Sequence, residues 1–452
     1  MSRPATVEAW LAYLETLHPK SIAMGLDRVR AVLANLDASI TVPVVTVAGT
    51  NGKGSTCAML ESILRCAGYS VGLYTSPHLL RYHERVHILG REATDGELLA
   101  AFAAVECARL ATPGRDGAPT PLTYFEFGTL AALWLFARAK LDVLVLEVGL
   151  GGRLDAVNVI DASVAVLSSV GIDHTDYLGH TREDIGREKA GIFRAGRPAV
   201  CADRQPPASV TAYAEEIGAR LLRIGRDYGF VNEGTQWRYW GPGKGDEKRV
   251  DKYGEGRDGN GPGERFGLPF PALRGAYQLQ NAATVLAVLD LLREALPVRS
   301  GALREGLLTV ELPGRFQVLP GRPTIVLDVA HNPHAAAVLA DELGAMAFHP
   351  ATFAVFSMYA DKDIAGVVAT MRSRIDRWFV AALPGPRGAP VDTLRQLLAG
   401  AGVDGSTIRI FPDIAGAFAA ARETAGETDR IVAFGSFLTV AAVLAARAAT
   451  GH

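Results

Sequence analysis

One stretch constrains this chain more than any other: Val44-Val45-Thr46-Val47-Ala48-Gly49-Thr50-Asn51-Gly52-Lys53-Gly54-Ser55. An apolar, β-branched run ends in a glycine-rich turn, a lysine and a hydroxyl, and residues 56–64 then carry a helical pattern. The order spelled is strand, phosphate-binding loop, helix. Glycines let the backbone wrap an anion closely, and the loop amides and helix N-terminus face it. Lys53 adds a point charge, and Ser55 is placed to reach Mg²⁺. The spacing departs from G-x-x-x-x-G-K-[ST], because two residues separate Gly49 from Gly52 and Gly54 intervenes between Lys53 and Ser55. A simple tight turn is the plain alternative. Strand context, lysine and serine together favour a nucleotide phosphate.

At 452 residues the chain exceeds one ordinary core, so two or three domains are expected. Its 46 Lys and Arg against 48 Asp and Glu leave no cationic surplus for nucleic acid or an anionic membrane. Cys57, Cys66, Cys107 and Cys201 are scattered without a C-x-x-C pair, as small core residues of a reducing compartment would be. Met1-Ser2-Arg3-Pro4 leads into an amphipathic segment rather than a signal peptide. The longest uncharged stretch, residues 431–446, is too short to span a bilayer. A cytoplasmic protein without membrane or nucleic-acid partners is expected.

Strands are expected over residues 44–48, 70–74, 84–88, 142–148, 163–168 and 197–201. Helices are expected over 7–17, 26–36, 95–110, 125–140, 181–193 and 277–295, with Thr94 and Glu97 forming a capping box. This alternation indicates a mostly parallel sheet covered on both faces, with ligands beyond the carboxyl ends of its strands. The polar clusters at 49–55, 75–78, 147–158 and 173–176 all follow strands. Residues 226–239 turn to an aromatic β pattern. Residues 241–264 hold eight glycines and eleven charges, which cannot bury a core and read as a mobile surface insertion. Residues 297–313 read as a crossover, beyond which strand and helix alternate again in a smaller α/β domain.

Glu147 ends an apolar strand before Gly149-Leu150-Gly151-Gly152-Arg153-Leu154. The run fails as a dinucleotide fingerprint because Leu154 stands where the third glycine belongs. Glu147 is open to two readings, a carboxylate for Mg²⁺ or a capped strand end. His174, also just after a strand, is either a metal ligand or a hydrogen-bonding group; with His180 it has no zinc spacing. Lys189, on the following helix, reads by itself as a solvated lysine near Asp184. Arg315 beside Phe316 suits a surface linker, Asp328 suits a cap for the helix opening near Pro333, and Asp361-Lys362-Asp363 suits a solvated helix start.

In order along the chain stand Gly49-Thr50-Asn51-Gly52-Lys53-Gly54-Ser55, Thr75-Ser76-Pro77-His78, Leu122-Thr123-Tyr124-Phe125-Glu126, residues 147–158, 171–179 and 187–194, and Asp328-Val329-Ala330-His331-Asn332-Pro333. Together they resemble the dihydrofolate synthase/folylpolyglutamate synthase family, relatives of the Mur peptidoglycan ligases. The resemblance covers almost the whole chain apart from residues 241–264. It implies an N-terminal P-loop ATPase-like, Mur-ligase-like domain over 1–296 and a C-terminal Rossmann-like glutamate ligase domain over 297–452. The implied activity is ATP-dependent addition of L-glutamate to dihydropteroate, tetrahydrofolate or both through an acyl phosphate, in folate biosynthesis and one-carbon metabolism, by a monomer.

The resemblance places Asn51, Gly52, Lys53, Gly54 and Ser55 on the ATP phosphates. It places Ser55, Ser76, Glu147, His174 and Lys189 at two Mg²⁺ sites, Lys189 as a carbamate. Asn281, Arg315 and Asp328 match nucleotide-contacting positions, and His331 a position near the transferring phosphate, so that ATP is gripped by both domains. Ser21, Ile22, Ala23 and Met24, then Leu122, Thr123, Tyr124 and Phe125, then Leu154, Asp155 and Ala156, match pterin-side stretches. Ala23 stands where dihydrofolate-making members often have Asp. Two other readings are a Mur-type ligase acting on a UDP-sugar peptide and a P-loop kinase or switch. The first lacks its extra N-terminal domain here, and the second lacks a base-reading Asn-Lys-x-Asp.

Overall fold

Val44–Ala48 (β1) is buried along its whole length, as β-branched residues covered on both faces of a sheet should be. In the computed structural model the described residues are 4–114, 117–241 and 263–449. Val7–Leu14 (α1) and Asp27–Ala34 (α2) precede β1. Lys53–Cys66 (α3) follows the glycine turn, then Val71–Tyr74 (β2), Val86–Ile88 (β3) and Arg91–Glu92 (β4). Asp95–Leu110 (α4) and Tyr124–Arg138 (α5) are both opened by capping boxes, Thr94 with Glu97 and Thr123 with Glu126. Val143–Glu147 (β5), Val164–Leu167 (β6), Thr175–Leu178 (α6), Arg182–Ala190 (α7), Pro198–Cys201 (β7), Ala208–Ile217 (α8) and Arg220–Arg223 (β8) complete the layer.

The strands assemble in the order β4-β3-β2-β5-β1-β6-β7-β8. From β2 to β8 neighbours run parallel, and only the β2–β3 and β3–β4 pairings are antiparallel. With β1 between β5 and β6, Glu147 is level with Val47 and Leu167 with Ala48. That register brings three strand ends to the glycine turn. Trp10 of α1 packs on Phe102 and Phe127, ring centroids 5.8 and 6.3 Å away, closing one face. Residues 84–88 differ from the expected strand. Tyr82–Arg85 is a 3₁₀ turn, because the Glu84 carboxylate turns back to accept the Leu79, Leu80 and Arg81 amides.

Gly229–Asn232 (β9), Trp237–Trp240 (β10) and Glu264–Leu268 (β11) form an antiparallel sheet. Glu264, read as the end of the insertion, is therefore a strand residue opposite Trp240; residues 242–262 of that insertion lie outside the described residues. Ala276–Leu292 (α9) and Ser300–Thr309 (α10) follow. The segment read as a crossover thus contains a helix, and that helix packs on α3. Ser62 Oγ donates to Gly306 O at 2.8 Å, and a Cβ on Gly306 would come 2.5 Å from Ile63 Cα.

Two compact units result, Met1–Ala272 with Leu279–Val310, and Leu273–Gln278 with Glu311–His452. The second holds Gln317–Leu319 (β12), Thr324–Leu327 (β13), Pro333–Ala345 (α11), Thr352–Phe356 (β14), Ile364–Met371 (α12), Arg377–Ala381 (β15), Val391–Gly400 (α13), Ile408–Phe411 (β16), Ile414–Thr424 (α14), Arg430–Phe434 (β17) and Phe437–Ala449 (α15). Its sheet runs β12-β13-β17-β14-β15-β16, parallel except for β12. Phe356, Trp378 and Phe434 interlock at its centre with centroids 5.1 to 6.1 Å apart. Among the described residues no helix is long and apolar enough to cross a membrane.

Candidate active site

The glycine turn is stapled to the loop after β6. Thr50 N donates to Ser169 O and Asn51 N to Ser169 Oγ, both at 2.9 Å; Ser168 Oγ donates to Asn51 O at 2.7 Å. Gly52 caps α3 in the left-handed region, φ 87°, and a Cβ there would meet Asn281 Oδ1 at 2.9 Å. Asn281, on α9, is therefore brought to the loop. Lys53 Nζ donates to Gly49 O at 3.0 Å and Thr50 O at 3.3 Å, so the ammonium lies over the turn it follows. Gly54 and Ser55 are buried in the first turn of α3, whose N-terminal amides favour an anion.

Beside this loop the ends of β2 and β5 meet. Glu147, 4% exposed, accepts Ser76 N on Oε2 at 3.0 Å. Burial pushes the Cys57 thiol well up, with the Glu147 charge adding and the Lys53 charge opposing, which places both groups near the first turn of α3. His174 adopts φ 52° ahead of α6, a left-handed conformation uncommon outside glycine. Lys189 departs from its solvated reading: it is only 5% exposed. The end of α7 is bound to the loop after β5, where Arg153 N donates to Glu188 O at 2.9 Å and Asn158 Nδ2 to Gly191 O at 3.1 Å. Asp184, read as its neighbour, instead caps α7 through Thr181.

Among the described residues no three His, Cys, Asp or Glu side chains gather as a metal cage. A Mg²⁺ site does not require one, since this ion takes one or two protein oxygens and fills its shell with water and phosphate. The Ser55 hydroxyl and the Glu147 carboxylate are hard oxygen donors of that kind.

The three stretches assigned to the substrate converge. Arg28 Nη2 donates to Ala23 O at 2.9 Å and to Glu126 Oε1 at 2.7 Å, tying the 21–24 loop to the start of α5. Gly25 N donates to Leu154 O at 3.3 Å. The Phe125 ring covers Gly149 and lies 5.9 Å from Tyr74. Asp155 is buried and accepts the amides of Leu150 at 2.8 Å and Val157 at 3.0 Å. Burial nevertheless pushes its carboxyl up to about 7. Burial likewise raises the Tyr124 phenol to about 12 and, with the Arg85 charge, lowers His78 to about 4. Arg28, Ser168 and Ser169 carry no motif spacing, and the sequence reading did not single them out.

In the second unit Asp328 is no helix cap: its carboxylate accepts Phe316 N and Ala330 N at 2.8 Å each, while Asn332 caps α11 through Ala335 N. Burial raises the Asp328 carboxyl and the Arg315 charge opposes. Arg315 is no free linker residue; its guanidinium lies 4.9 Å from the centroid of the Phe437 ring. His331 Nδ1 is 2.8 Å from Val329 O. Asp363 does start α12, capping Gly366 N.

Comparison with known proteins finds the Mur ligase middle domain over residues 93–289 and the Mur ligase glutamate ligase domain over 314–437. A dihydrofolate synthase/folylpolyglutamate synthase of Escherichia coli (strain K12) is 45% identical over 437 residues, spanning 96% of this chain and 94% of the relative. The structure of E. coli FolC in complex with DHPP and ADP superposes with a TM-score of 0.87 at 42% identity, covering 99% of both chains. A bifunctional folylpolyglutamate synthase/dihydrofolate synthase structure with Mn, AMPPNP and L-glutamate bound gives 0.85 at 44% identity, covering 98% of both.

Proposed function

The chain belongs to the dihydrofolate synthase/folylpolyglutamate synthase family of Mur-related ligases, and from that premise we propose how its residues ligate L-glutamate to a pteroyl acid. The acid's carboxylate attacks the γ-phosphate of ATP, ADP leaves, and the amine of L-glutamate then displaces phosphate from the acyl phosphate. The observation that carries this reading is a convergence at the carboxyl ends of one sheet. There the Gly49–Ser55 loop, Glu147 with Ser76, and the 21–24, 122–125 and 154–156 stretches come together.

The loop amides with Lys53 hold the phosphates and neutralise charge as it moves to the leaving oxygen. Arg28, by fixing Ala23 to Glu126, keeps the pterin-side wall in place. Asn281, Arg315, Asp328 and His331 serve the nucleotide and its transferring phosphate. Mg²⁺, when bound, supplies charge neutralisation at the phosphates, with Ser55, Ser76, Glu147, His174 and Lys189 as its holders. Carbamylation of Lys189, RNH₂ + CO₂ → RNHCOO⁻ + H⁺, exchanges a metal-repelling cation for a metal-binding carboxylate. Support for it is the motif match and the burial of Lys189. Lys189→Ala should lose activity and recover it with a short-chain carboxylic acid; full activity without the acid would dismiss the carbamate. We place the enzyme in the cytoplasm, as a monomer.

ADP formation with dihydropteroate and with tetrahydrofolate in parallel tests the reading. Turnover with either acid is expected only when L-glutamate is present. ADP formation with a UDP-sugar peptide instead would favour the Mur-type alternative.

A further inference from the structure

Arg85 is one of three buried arginines among the described residues, with Arg109 and Arg430. It closes the 3₁₀ turn after β2, and its carbonyl accepts Thr75 N at 2.9 Å, next to Ser76. The residue is 9% exposed, with its guanidinium 5.5 Å from the Tyr82 ring centroid and 5.4 Å from that of Tyr124. Nε donates to His78 Nδ1 at 2.8 Å, and the Tyr74 hydroxyl is its other polar neighbour. Neither carries a negative charge. Among the described residues no carboxylate lies within ion-pair distance of Arg85; of the two other buried arginines, Arg109 pairs with Glu106, and Arg430 donates to Leu343 O and Thr352 Oγ1 instead. Glu84, adjacent in sequence, spends its oxygens on three backbone amides.

A buried guanidinium is costly unless it is paired. Two aromatic faces offset part of that cost but leave the planar fork without its natural partner. The fork lies against Tyr124 of one pterin-side stretch and beside the turn carrying Ser76. Arg85 thus stands between one stretch assigned to the pterin side and the turn assigned to Mg²⁺. We propose that Arg85 binds a carboxylate of the pteroyl acid as a bidentate partner, selecting acid substrates and aligning them. This rests on the ligase reading above.

The test compares wild type, Arg85→Gln and Arg85→Lys through ADP formation, with KM measured separately for dihydropteroate, tetrahydrofolate, ATP and L-glutamate. Binding of 6-hydroxymethylpterin, which has no carboxylate, is followed by calorimetry. Arg85→Gln should raise KM for the pteroyl acid about 10- to 100-fold, the loss typical of a charge-assisted pair. The KM values for ATP and L-glutamate and the binding of 6-hydroxymethylpterin should hold within about twofold. An effect on both acids assigns the reacting carboxylate, and an effect on tetrahydrofolate alone assigns its α-carboxylate. Arg85→Lys keeps the charge but not the fork and should lose affinity less; it decides the matter if the glutamine variant does not fold. Unchanged KM for both acids, or an equal rise for ATP or L-glutamate, overturns the proposal. A wild type inactive with every pteroyl acid overturns the ligase reading, and the proposal with it.

Discussion

Lys53 reaches back to the Gly49 and Thr50 carbonyls, a position from which its ammonium can meet the outer phosphates of a nucleotide on the turn. Lys53→Ala should lower kcat by about 10²–10³, the loss expected for one preorganised charge donor, with the melting temperature little changed. Asp155 gives a pH prediction. Its folded-state pKa, about 7, lies above the ordinary carboxylate range, so the folded protein holds this proton more tightly than the unfolded chain. The contribution is present in full below about pH 4 and is lost as pH rises through 7. Melting temperature should therefore decline over that window, and Asp155→Asn should flatten the decline while costing about 1–3 kcal/mol, because an amide NH₂ cannot accept from the backbone donors. At this scale the placement of Lys53 and Ser55 in the first turn of a helix that follows a strand is legible in the sequence. The burial of Lys189 was not, because a polar helix such as Arg182–Ala190 gives no periodic signal for the face it hides. Arg85 was hidden too, since its lack of an anionic partner exists only in three dimensions.

The glycine turn works because two of its positions exclude a side chain. Gly52→Ala meets both the left-handed backbone and Asn281 Oδ1, and should cost about 1–2 kcal/mol from the backbone alone. Nucleotide affinity should fall further than stability, and calorimetric titration with ADP and Mg²⁺ checks it. The capping boxes at Thr94, Thr123 and Thr181 stand on hydroxyl-to-carboxylate spacings visible in sequence, with Glu97 held down at about 2 first by Arg91 and then by the Thr94 amide and hydroxyl. Helix α8 and strands β8 and β12 escaped the sequence reading. They are short, and β8 and β12 lie at sheet edges where half-exposed residues blur the alternation. Helix α10 reads as linker in the sequence because its amphipathic pattern is brief; Gly306 lets it approach the Ile63 backbone of α3, and Ser62 Oγ donates to Gly306 O.

At the scale of the whole chain, both units carry residues assigned to ATP. Arg315→Ala, in the second unit, should raise the KM for ATP about tenfold, or ~1.4 kcal/mol, while leaving pteroyl-acid binding alone. Saturating ADP with Mg²⁺ at about 100 times its Kd should add about 2.7 kcal/mol of stability by mass action, and Gly52→Ala should remove most of that gain. The alternation of strands and helices made the α/β architecture readable in advance. Which strand lies beside β1 was not readable, because register depends on crossovers that sequence spacing leaves undetermined. On this reading a single chain activates a pteroyl carboxylate with ATP and captures it with an amino acid. Stoichiometry of ADP and pteroyl-glutamate product, measured together, tests it most directly. One ADP should form per amide, with none when either the acid or L-glutamate is withheld. ADP release that ignores L-glutamate, or none with either pteroyl acid, would contradict it.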